Sequence, residues 1–241
     1  MIRGLFNAAS GIVAMMQAQE VIINNIANVS TPGFKKDIPV YRSFSNILQR
    51  RIKNQESQAR VEATFTDFSQ GEIESTEGSL DLAIKGDGFF TLLTPQGIAY
   101  TRAGNFTLDK TGRIVTAEGY FLLGKNGPIS VSGSGKSRLE VNSKGDVIVD
   151  GTVVDRIRVQ VFPKPSSFLY KQGKNLFKSI ATVPTVGKGG TYDIKQGYVE
   201  LSNVDIVQEI ADLLINLRLY ESAQRAVQLQ DETLGKICNG I

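Results

Sequence analysis

The chain has 241 residues, a formal net charge of +3 and a hydrophobic fraction of 41%, values that are typical of a globular protein with a buried core. It contains no histidine and no tryptophan, which excludes catalytic triads and metal sites that depend on an imidazole. The single cysteine, Cys238, excludes an intrachain disulfide and a cysteine cluster for zinc or iron–sulfur. The small net charge gives no argument for binding nucleic acid, and no run of about 18 apolar residues indicates membrane insertion.

The N-terminal residues do not resemble a cleavable secretory signal. Arg3 is the only basic residue there, and Asn7, Ser10 and Gln17 interrupt the apolar residues. On this criterion alone the protein is expected in the cytosol, unless another export system carries it.

The first segment, from Met1 to about Asn28, is predicted to be a helix with one apolar face. Its apolar residues follow alternating steps of three and four, as in a coiled-coil seam, with Gln19 as the one polar interruption. The members of this face are Ile2, Leu5, Ala9, Ile12, Met16, Ile23 and Ile26. Asn28 is suited to end the helix in a left-handed conformation, and Thr31-Pro32-Gly33-Phe34 then predicts a tight turn.

The middle of the chain is predicted to be a connector followed by a β-rich domain. Residues 35–68 show a weak pattern, in which Phe44–Ile52 allows a short helix. From residue 69 to residue 197, short apolar or alternating runs recur between turn residues, as in all-β domains. The predicted strands are 82–84, 89–93, 113–116, 120–123, 139–141 and 157–161, and the predicted turns are 95–97, 109–112, 143–146 and 150–151. Gly86-Asp87-Gly88 predicts a tight hairpin, and residues 183–190 predict a loop.

The last segment, from Ser202 to about Ile237, is predicted to be the longest helix. Ser202 is the predicted N-cap, with Asp205 as its reciprocal partner and Leu201 and Ile206 as a hydrophobic staple. One apolar face consists of Ile206, Ile210, Leu213, Leu217, Tyr220, Val227 and Leu234, interrupted by Gln224 and Asp231. A second apolar set consists of Leu219, Ala223, Ala226, Leu229 and Ile237. Because a surface helix needs only one apolar face, this helix is expected to have two neighbours.

Motifs for catalysis or ligand binding are weak. Ser132–Ser137 superficially resembles a phosphate-binding loop, but it lacks the glycine required five residues before Gly135 and precedes a predicted strand instead of a helix. Asp81 and Asp87 are the kind of carboxylate pair that hydrolyses a sugar, yet nothing marks them as buried. The terminal helices also have a purely intramolecular alternative, a hairpin beneath the β-rich domain, which leaves the second apolar set of the last helix uncovered.

Three parts of the chain resemble signatures of the bacterial flagellar rod and hook axial proteins, in the order found in that family. The first is Asn24–Lys35, the second comprises Asp81–Phe90 and Tyr100–Phe106, and the third comprises Gly197–Asp205 with Arg218–Glu221 and Asp231–Leu234. They span nearly the whole chain, so the resemblance is specific. The compact connector and the segment 119–129 resemble the proximal-rod type more than the distal-rod type, and the chain is too short for the hook protein.

The resemblance implies an α+β fold with a mainly-β central domain, whose terminal helices pair into a coiled-coil-like inner domain. The implied domains are residues 1–34 with 198–241 as the inner domain, 35–68 as the connector and 69–197 as the β-rich outer domain. The implied function is that of a non-enzymatic subunit of the basal-body rod, without cofactor or metal, which assembles helically with copies of itself and other rod proteins and transmits torque. The family also implies uncleaved export through the flagellar type III apparatus and an extracytoplasmic place in the basal body, which overrules the cytosolic expectation.

The apolar faces and the family signature together give the residues expected at the assembly interface. These are Leu5, Ile12, Met16, Ile23, Asn25, Ile26, Asn28, Leu213, Leu217, Tyr220, Val227 and Leu234, with the turn at Thr31, Pro32, Gly33 and Phe34. A distal-rod subunit is the alternative within the family. From a different class, the alternative is a secreted carbohydrate-active or adhesive β-protein with a helical stalk.

Overall fold

The computed structural model describes residues 2–40, 63–131, 139–180 and 191–239, and they form two compact units. The helical unit comprises the described residues of Met1–Asn28, Lys36–Asp67 and Val204–Ile241. The β unit comprises those of Val29–Lys35 and Phe68–Asn203. The fold is therefore α+β, with a β-rich core and a long helix towards each end of the chain.

The elements are numbered in chain order. The helices are α1 (Ile2–Ala27), α2 (Pro165–Phe168) and α3 (Ile206–Asn239). The strands are β1 (Asp37–Val40), β2 (Ala63–Thr66), β3 (Ile73–Ser75), β4 (Leu82–Gly86), β5 (Phe89–Thr94), β6 (Gly97–Thr101), β7 (Thr107–Leu108), β8 (Ile114–Val115), β9 (Phe121–Leu122), β10 (Leu139–Val141), β11 (Asp146–Val149), β12 (Thr152–Arg156), β13 (Val159–Gln160), β14 (Leu169–Gly173), β15 (Leu176–Ser179), β16 (Tyr192–Gln196) and β17 (Tyr198–Glu200).

In the helical unit, α1 and α3 lie along each other. They run antiparallel, because Asn25 near the end of α1 donates from Nδ2 to the Oε2 atom of Glu209 near the start of α3, at 3.1 Å. The antiparallel pair β1–β2 completes this unit, and β1 packs against α1. None of the described helices is long and apolar enough to cross a membrane.

The start of α3 corrects the prediction that Ser202 caps this helix. The helix begins at Ile206, and its N-cap is Asp205, whose Oδ1 accepts hydrogen bonds from the backbone N–H groups of Val207 at 3.0 Å and Gln208 at 3.2 Å. An aspartate at the N-cap satisfies free amides and also favours the positive end of the helix dipole, so it replaces the more distant Ser202.

The end of α1 also differs from its prediction. Asn28 does not take the left-handed conformation, because it is absent from the residues with positive φ. Instead its side-chain Nδ2 donates to the carbonyl of Asn24 at 2.8 Å, and its backbone N–H donates to the carbonyl of Asn25 at 3.1 Å. Asn28 thus ends the helix by bonding two carbonyls that the last turn leaves free.

The β unit contains one large sheet and three smaller groups of strands in the described residues. The large sheet has eight strands in the order β14-β15-β6-β5-β9-β8-β7, with β13 also paired to β5. The others are the three-stranded sheet β10-β11-β12 and the pairs β16–β4 and β17–β3. The predicted turns at 95–97, 109–112, 143–146 and 150–151 are confirmed, since each joins two paired antiparallel strands.

Strand β5 is buried on both of its faces. Phe90 and Leu92 enter the main core cluster, which extends to Ile84 on β4 and Val147 on β11. Phe89 points the other way, as alternation along a strand requires, into an aromatic cluster with Tyr100, Phe162, Leu169 and Phe177. The core therefore joins the large sheet to the three-stranded sheet and to the β16–β4 pair.

Within the β unit, one prediction is wrong and another is confirmed in part. Gly86-Asp87-Gly88 is not a hairpin, because β4 pairs with β16 whereas β5 pairs with β6, β9 and β13, so these residues connect different sheets. The predicted strand 157–161 is shortened to β13, because Ile157 forms an isolated bridge with Gly124 and breaks the ladder. The predicted short helix at 44–52 and the segments Ser132–Ser137 and 183–190 lie outside the described residues.

Candidate assembly surface and buried charge cluster

Both long helices carry a row of buried or half-buried positions that repeats in alternating steps of three and four. We refer to these as the inner rows. The inner row of α1 is Gly11, Met15, Ala18, Ile22 and Asn25, and that of α3 is Glu209, Leu213, Asn216, Tyr220, Ala223, Val227 and Gln230. This spacing places the members of each row on one side of their helix.

The predicted interface residues divide between the inner rows and other faces. Asn25, Leu213, Tyr220 and Val227 are inner-row members, and Leu217 is half-buried next to them. Ile12, Ile26 and Asn28 are also half-buried, whereas Met16 and Ile23 are 49% and 50% exposed. Leu5 and Leu234 lie outside the residues whose side chains are described.

Asn25 joins three elements of the helical unit and is 1% exposed. Its Nδ2 donates to the carbonyl of Asp37 on β1 at 2.8 Å, and its Oδ1 accepts from the backbone N–H of Asp37 at 2.9 Å. Glu209, which accepts from Asn25, also pairs with Lys36, whose Nζ lies 3.3 Å from Oε1. The asparagine of the family signature therefore fixes β1 and α3 against the end of α1.

Sequence analysis missed Glu209, which is 4% exposed. Its spacing of four residues before the apolar Leu213 was the available signal, since a carboxylate in a helix seam requires a partner. Asn216 is a second polar inner-row residue; it is 5% exposed, and its Oδ1 has no hydrogen-bond partner among the described residues.

The β unit contains a buried charge cluster formed by Lys35, Arg102 and Glu200. Lys35 and Glu200 are 0% exposed, and Lys35 Nζ lies 2.5 Å from Glu200 Oε1. Arg102 Nη1 lies 3.0 Å from Glu200 Oε2. The carboxylate is thus shared by two cations, one on each oxygen.

Backbone groups complete the cluster. Lys35 Nζ also donates to the carbonyl of Ser69 at 2.6 Å, and Glu200 Oε1 accepts from the N–H of Gly71 at 3.1 Å. Arg102 Nη2 donates to the carbonyl of Gly86 at 2.8 Å, and the guanidinium lies 5.0 Å from the centre of the Phe89 ring. Such pairing is what allows charges to stay buried.

The predicted turn Thr31–Phe34 lies beside this cluster. The backbone N–H of Phe34 donates to the carbonyl of Thr31 at 3.2 Å, which closes the turn, and Gly33 has φ of +66°. A Cβ at Gly33 would lie 2.3 Å from the backbone nitrogen of Ala103, so only glycine fits. Phe34 is buried, with Lys171 Nζ 4.2 Å from its ring centre.

The turn lies within Val29–Lys35, a segment of the β unit. The N–H of Gly33 donates to the carbonyl of Glu200 at 2.7 Å, and Asn175 Nδ2 donates to the carbonyl of Pro32 at 2.7 Å. The segment that follows α1 and the segment that precedes α3 are therefore hydrogen-bonded to each other within this unit.

The buried charge cluster draws one residue from each of the three signature regions recognised in the sequence. Lys35 ends the first, Arg102 lies in the second and Glu200 lies in the third. All three charges are paired and enclosed, so the cluster fixes backbone segments relative to one another.

Comparison with known proteins gives matches along the whole chain. Three family models match: "Flagella basal body rod protein" at residues 5–35, "Flagellar hook protein FlgE/F/G D1 domain" at 83–149 and "Flagellar basal body rod FlgEFG protein C-terminal" at 195–239. The flagellar basal-body rod protein FlgG of Bacillus subtilis is 34% identical, covering 99% of this chain and 99% of that protein. FlgG of Borreliella burgdorferi is 33% identical over 98% of this chain and 97% of that protein, and FlgF of Rhizobium meliloti is 28% identical over 97% and 95%.

A β-rich unit combined with a helical unit from both ends of the chain defines a structural subunit of the flagellar axis. The chain belongs to the family of flagellar basal-body rod proteins. It is a structural component of the rod and not an enzyme, and rod proteins assemble with each other in the basal body. The alternative of a secreted carbohydrate-active or adhesive protein is not favoured.

Proposed function

We propose that α1 and α3 pair as a coiled coil that forms the inner domain of the rod subunit, with the β unit as its outer domain. The observation that carries this proposal is the matched spacing of the two inner rows, both of which follow steps of three and four. An isolated helix in water is marginally stable, so each helix gains most of its stability from covering the inner row of the other.

The polar members of the inner rows set the alignment of the pair. Asn25 and Glu209 meet at one end of the helices, where Asn25 Nδ2 donates to Glu209 Oε2. A polar residue in a coiled-coil seam lowers stability but selects one register, because other registers leave it without a partner. The helices are thereby held at a single offset.

The subunit assembles helically with copies of itself and with other rod proteins, and the assembled rod transmits torque. It reaches its place outside the cytoplasmic membrane through the flagellar type III export apparatus. Family membership supports both statements. The short connector and the segment 119–129, which resemble the proximal-rod type, support a proximal position along the rod. The names of the relatives state rod membership without a position.

Leu213→Asp tests the helix pairing. Leu213 is a half-buried inner-row residue, so a carboxylate there disrupts the seam, whereas Gln224→Asp changes an exposed residue of the same helix. In cells that carry only the variant, Leu213→Asp is expected to abolish motility and to be absent from purified basal bodies, while Gln224→Asp supports both. Normal rods made from exported Leu213→Asp protein would contradict the proposal.

The proximal position is tested separately by labelling the subunit in purified basal bodies. Antibody against an exposed β-unit epitope is expected at the part of the rod nearer the cytoplasmic membrane. Label confined to the part nearer the hook would instead identify the distal type.

A further inference from the structure

Helix α1 has a second row of residues that stays exposed in the single chain. This outer row consists of Ala9, Val13, Met16, Glu20, Ile23 and Ala27, and every member is exposed. Three of its large apolar side chains, Val13, Met16 and Ile23, are 44%, 49% and 50% exposed. Val13 and Glu20 each lie two positions from the inner-row residues on either side, which at about 100° per residue places the centre of the outer row on the opposite side of the helix.

Helix α3 has a corresponding outer row, made of Ile215, Leu219, Ser222, Ala226, Leu229 and Thr233, all exposed. Ile215, Leu219 and Leu229 are 57%, 51% and 63% exposed, which is a high exposure for large apolar side chains. Both outer rows repeat in steps of four and three, so each is suited to pack against another helix over its length.

We propose that the outer row of α1 in one copy of the chain packs against the outer row of α3 in a second copy. This inference rests on the proposed function. Copies in a helical assembly with one direction all point the same way, and α1 and α3 run antiparallel within a chain. The two outer rows therefore meet antiparallel.

An antiparallel alignment pairs every member of one outer row with a member of the other. The pairs are Ala9–Thr233, Val13–Leu229, Met16–Ala226, Glu20–Ser222, Ile23–Leu219 and Ala27–Ile215. Large side chains then oppose small ones at Met16–Ala226 and Ala27–Ile215, which allows the helices to approach closely. The one charged member, Glu20, faces the small polar Ser222.

Charge complementarity selects this alignment and this occupant. Arg218 and Arg225 lie four residues before and three residues after Ser222, so they flank it on one side of α3. Glu20, Arg218 and Arg225 form no ion pair among the described residues. The Glu20 carboxylate of one copy then meets these two guanidinium groups of the second copy.

A slip by one heptad removes that pairing. It would place Glu20 opposite Leu229 or Ile215 instead of Ser222. Because a carboxylate enclosed by apolar side chains is strongly disfavoured, Glu20 fixes the register between copies.

Disulfide cross-linking tests the register. In a Cys238→Ser background, chains that carry Met16→Cys are coexpressed with chains that carry Ala226→Cys, since a disulfide forms only when Cα atoms approach within about 7 Å. Mild oxidation of purified basal bodies is expected to give a cross-linked dimer from this pair. Met16→Cys with Leu219→Cys, one heptad out of register, is the matched control and is expected to give none.

Charge reversal tests the pairing of Glu20 with the arginines. Glu20→Arg is expected to block incorporation into rods, and the triple variant with Arg218→Glu and Arg225→Glu is expected to restore it. Glu20 is exposed in the single chain, so an unchanged far-ultraviolet spectrum of the purified Glu20→Arg protein shows that folding is intact.

The outcomes separate this inference from the proposed function. If the wild-type protein is present in rods, any one of three results would overturn the outer-row contact alone. These results are a Met16–Leu219 dimer, a cross-link to a different rod protein, and normal incorporation of Glu20→Arg. Absence of the wild-type protein from basal bodies would overturn the proposed function itself, and the contact with it.

Discussion

Glu200→Gln is the most direct perturbation of the buried charge cluster. The change keeps the size of the side chain but removes the negative charge that lies 2.5 Å from Lys35 Nζ and 3.0 Å from Arg102 Nη1. Both cations then stay buried without a counter-charge. Breaking a buried ion pair from one side costs about 3–5 kcal/mol, a large part of the roughly 5–15 kcal/mol that stabilises a typical domain.

Urea unfolding followed by tyrosine fluorescence measures this loss. The chain has seven tyrosines and no tryptophan. Most of the signal comes from the β unit, which contains Tyr100, Tyr120, Tyr170, Tyr192 and Tyr198. With a slope of about 2 kcal/mol per M, a loss of about 4 kcal/mol lowers the unfolding midpoint by roughly 2 M.

The control and a double-mutant cycle show whether the cluster itself is responsible. Glu118→Gln changes an exposed glutamate of the same unit and is expected to alter the free energy of unfolding by less than about 0.5 kcal/mol. Lys35→Met combined with Glu200→Gln is expected to cost clearly less than the sum of the single changes, because the two residues share one interaction. A Glu200→Gln protein within about 1 kcal/mol of the wild type would refute the reasoning.

Three further predictions concern other parts of the chain. Gly33→Ala is expected to destabilise the β unit in urea by more than Gly97→Ala, because both have positive φ but only at Gly33 would the Cβ meet backbone, 2.3 Å from the nitrogen of Ala103. Asn25→Ala removes hydrogen bonds to β1 and α3 and is expected to cost the helical unit about 1–3 kcal/mol, seen as earlier loss of helical circular dichroism on heating. The pKa of Asp109 is lowered, first by a backbone N–H of its hairpin, so its stabilising contribution is present above the unfolded pKa of about 3.9 and is lost as pH falls below it. Asp109→Asn is therefore expected to lower the melting temperature at pH 7, with the difference from wild type shrinking below about pH 4.

The hairpins of the β unit were predictable because their signals are local. Asp150 and Gly151 both have positive φ, at 50° and 82°, which suits the residues that the sequence places between two apolar runs. The segment Gly86–Gly88, which was wrongly predicted to be a hairpin, also consists of glycine and aspartate, but it connects strands of different sheets. Positive φ at both glycines turns the chain from one sheet to another, and a Cβ at Gly88 would lie 2.5 Å from a side-chain carbon of Val159. Local composition predicts that the chain bends, but it does not predict whether the strands before and after the bend pair with each other.

The choice of helix face could not be predicted from spacing. Met15 and Met16 are adjacent, as are Ile22 and Ile23, so steps of three and four fit two different rows on α1. The prediction selected the row that contains Met16 and Ile23, and the single chain buries the row that contains Met15 and Ile22. Periodicity gives the number of residues between contacts, whereas the identity of each neighbouring helix depends on tertiary packing.

The buried charge cluster was hidden for a different reason. Lys35 and Glu200 are 165 positions apart, and a single charged residue in a sequence is normally read as exposed. The available signal was their place within the first and third signature regions, with Arg102 in the second. Each signature also contains a glycine or apolar residue with a clear packing role, so the charged members did not stand out.

Compared with apolar residues in the same space, the charge cluster adds little net stability, because the cost of removing charges from water offsets most of their attraction. Its geometry, however, admits one arrangement, with Lys35 on one carboxylate oxygen and Arg102 on the other. Lys35 lies shortly after α1 in the sequence and Glu200 lies shortly before α3, and both residues belong to the β unit. The cluster therefore holds the segment that follows the first long helix and the segment that precedes the last one in one arrangement within this unit.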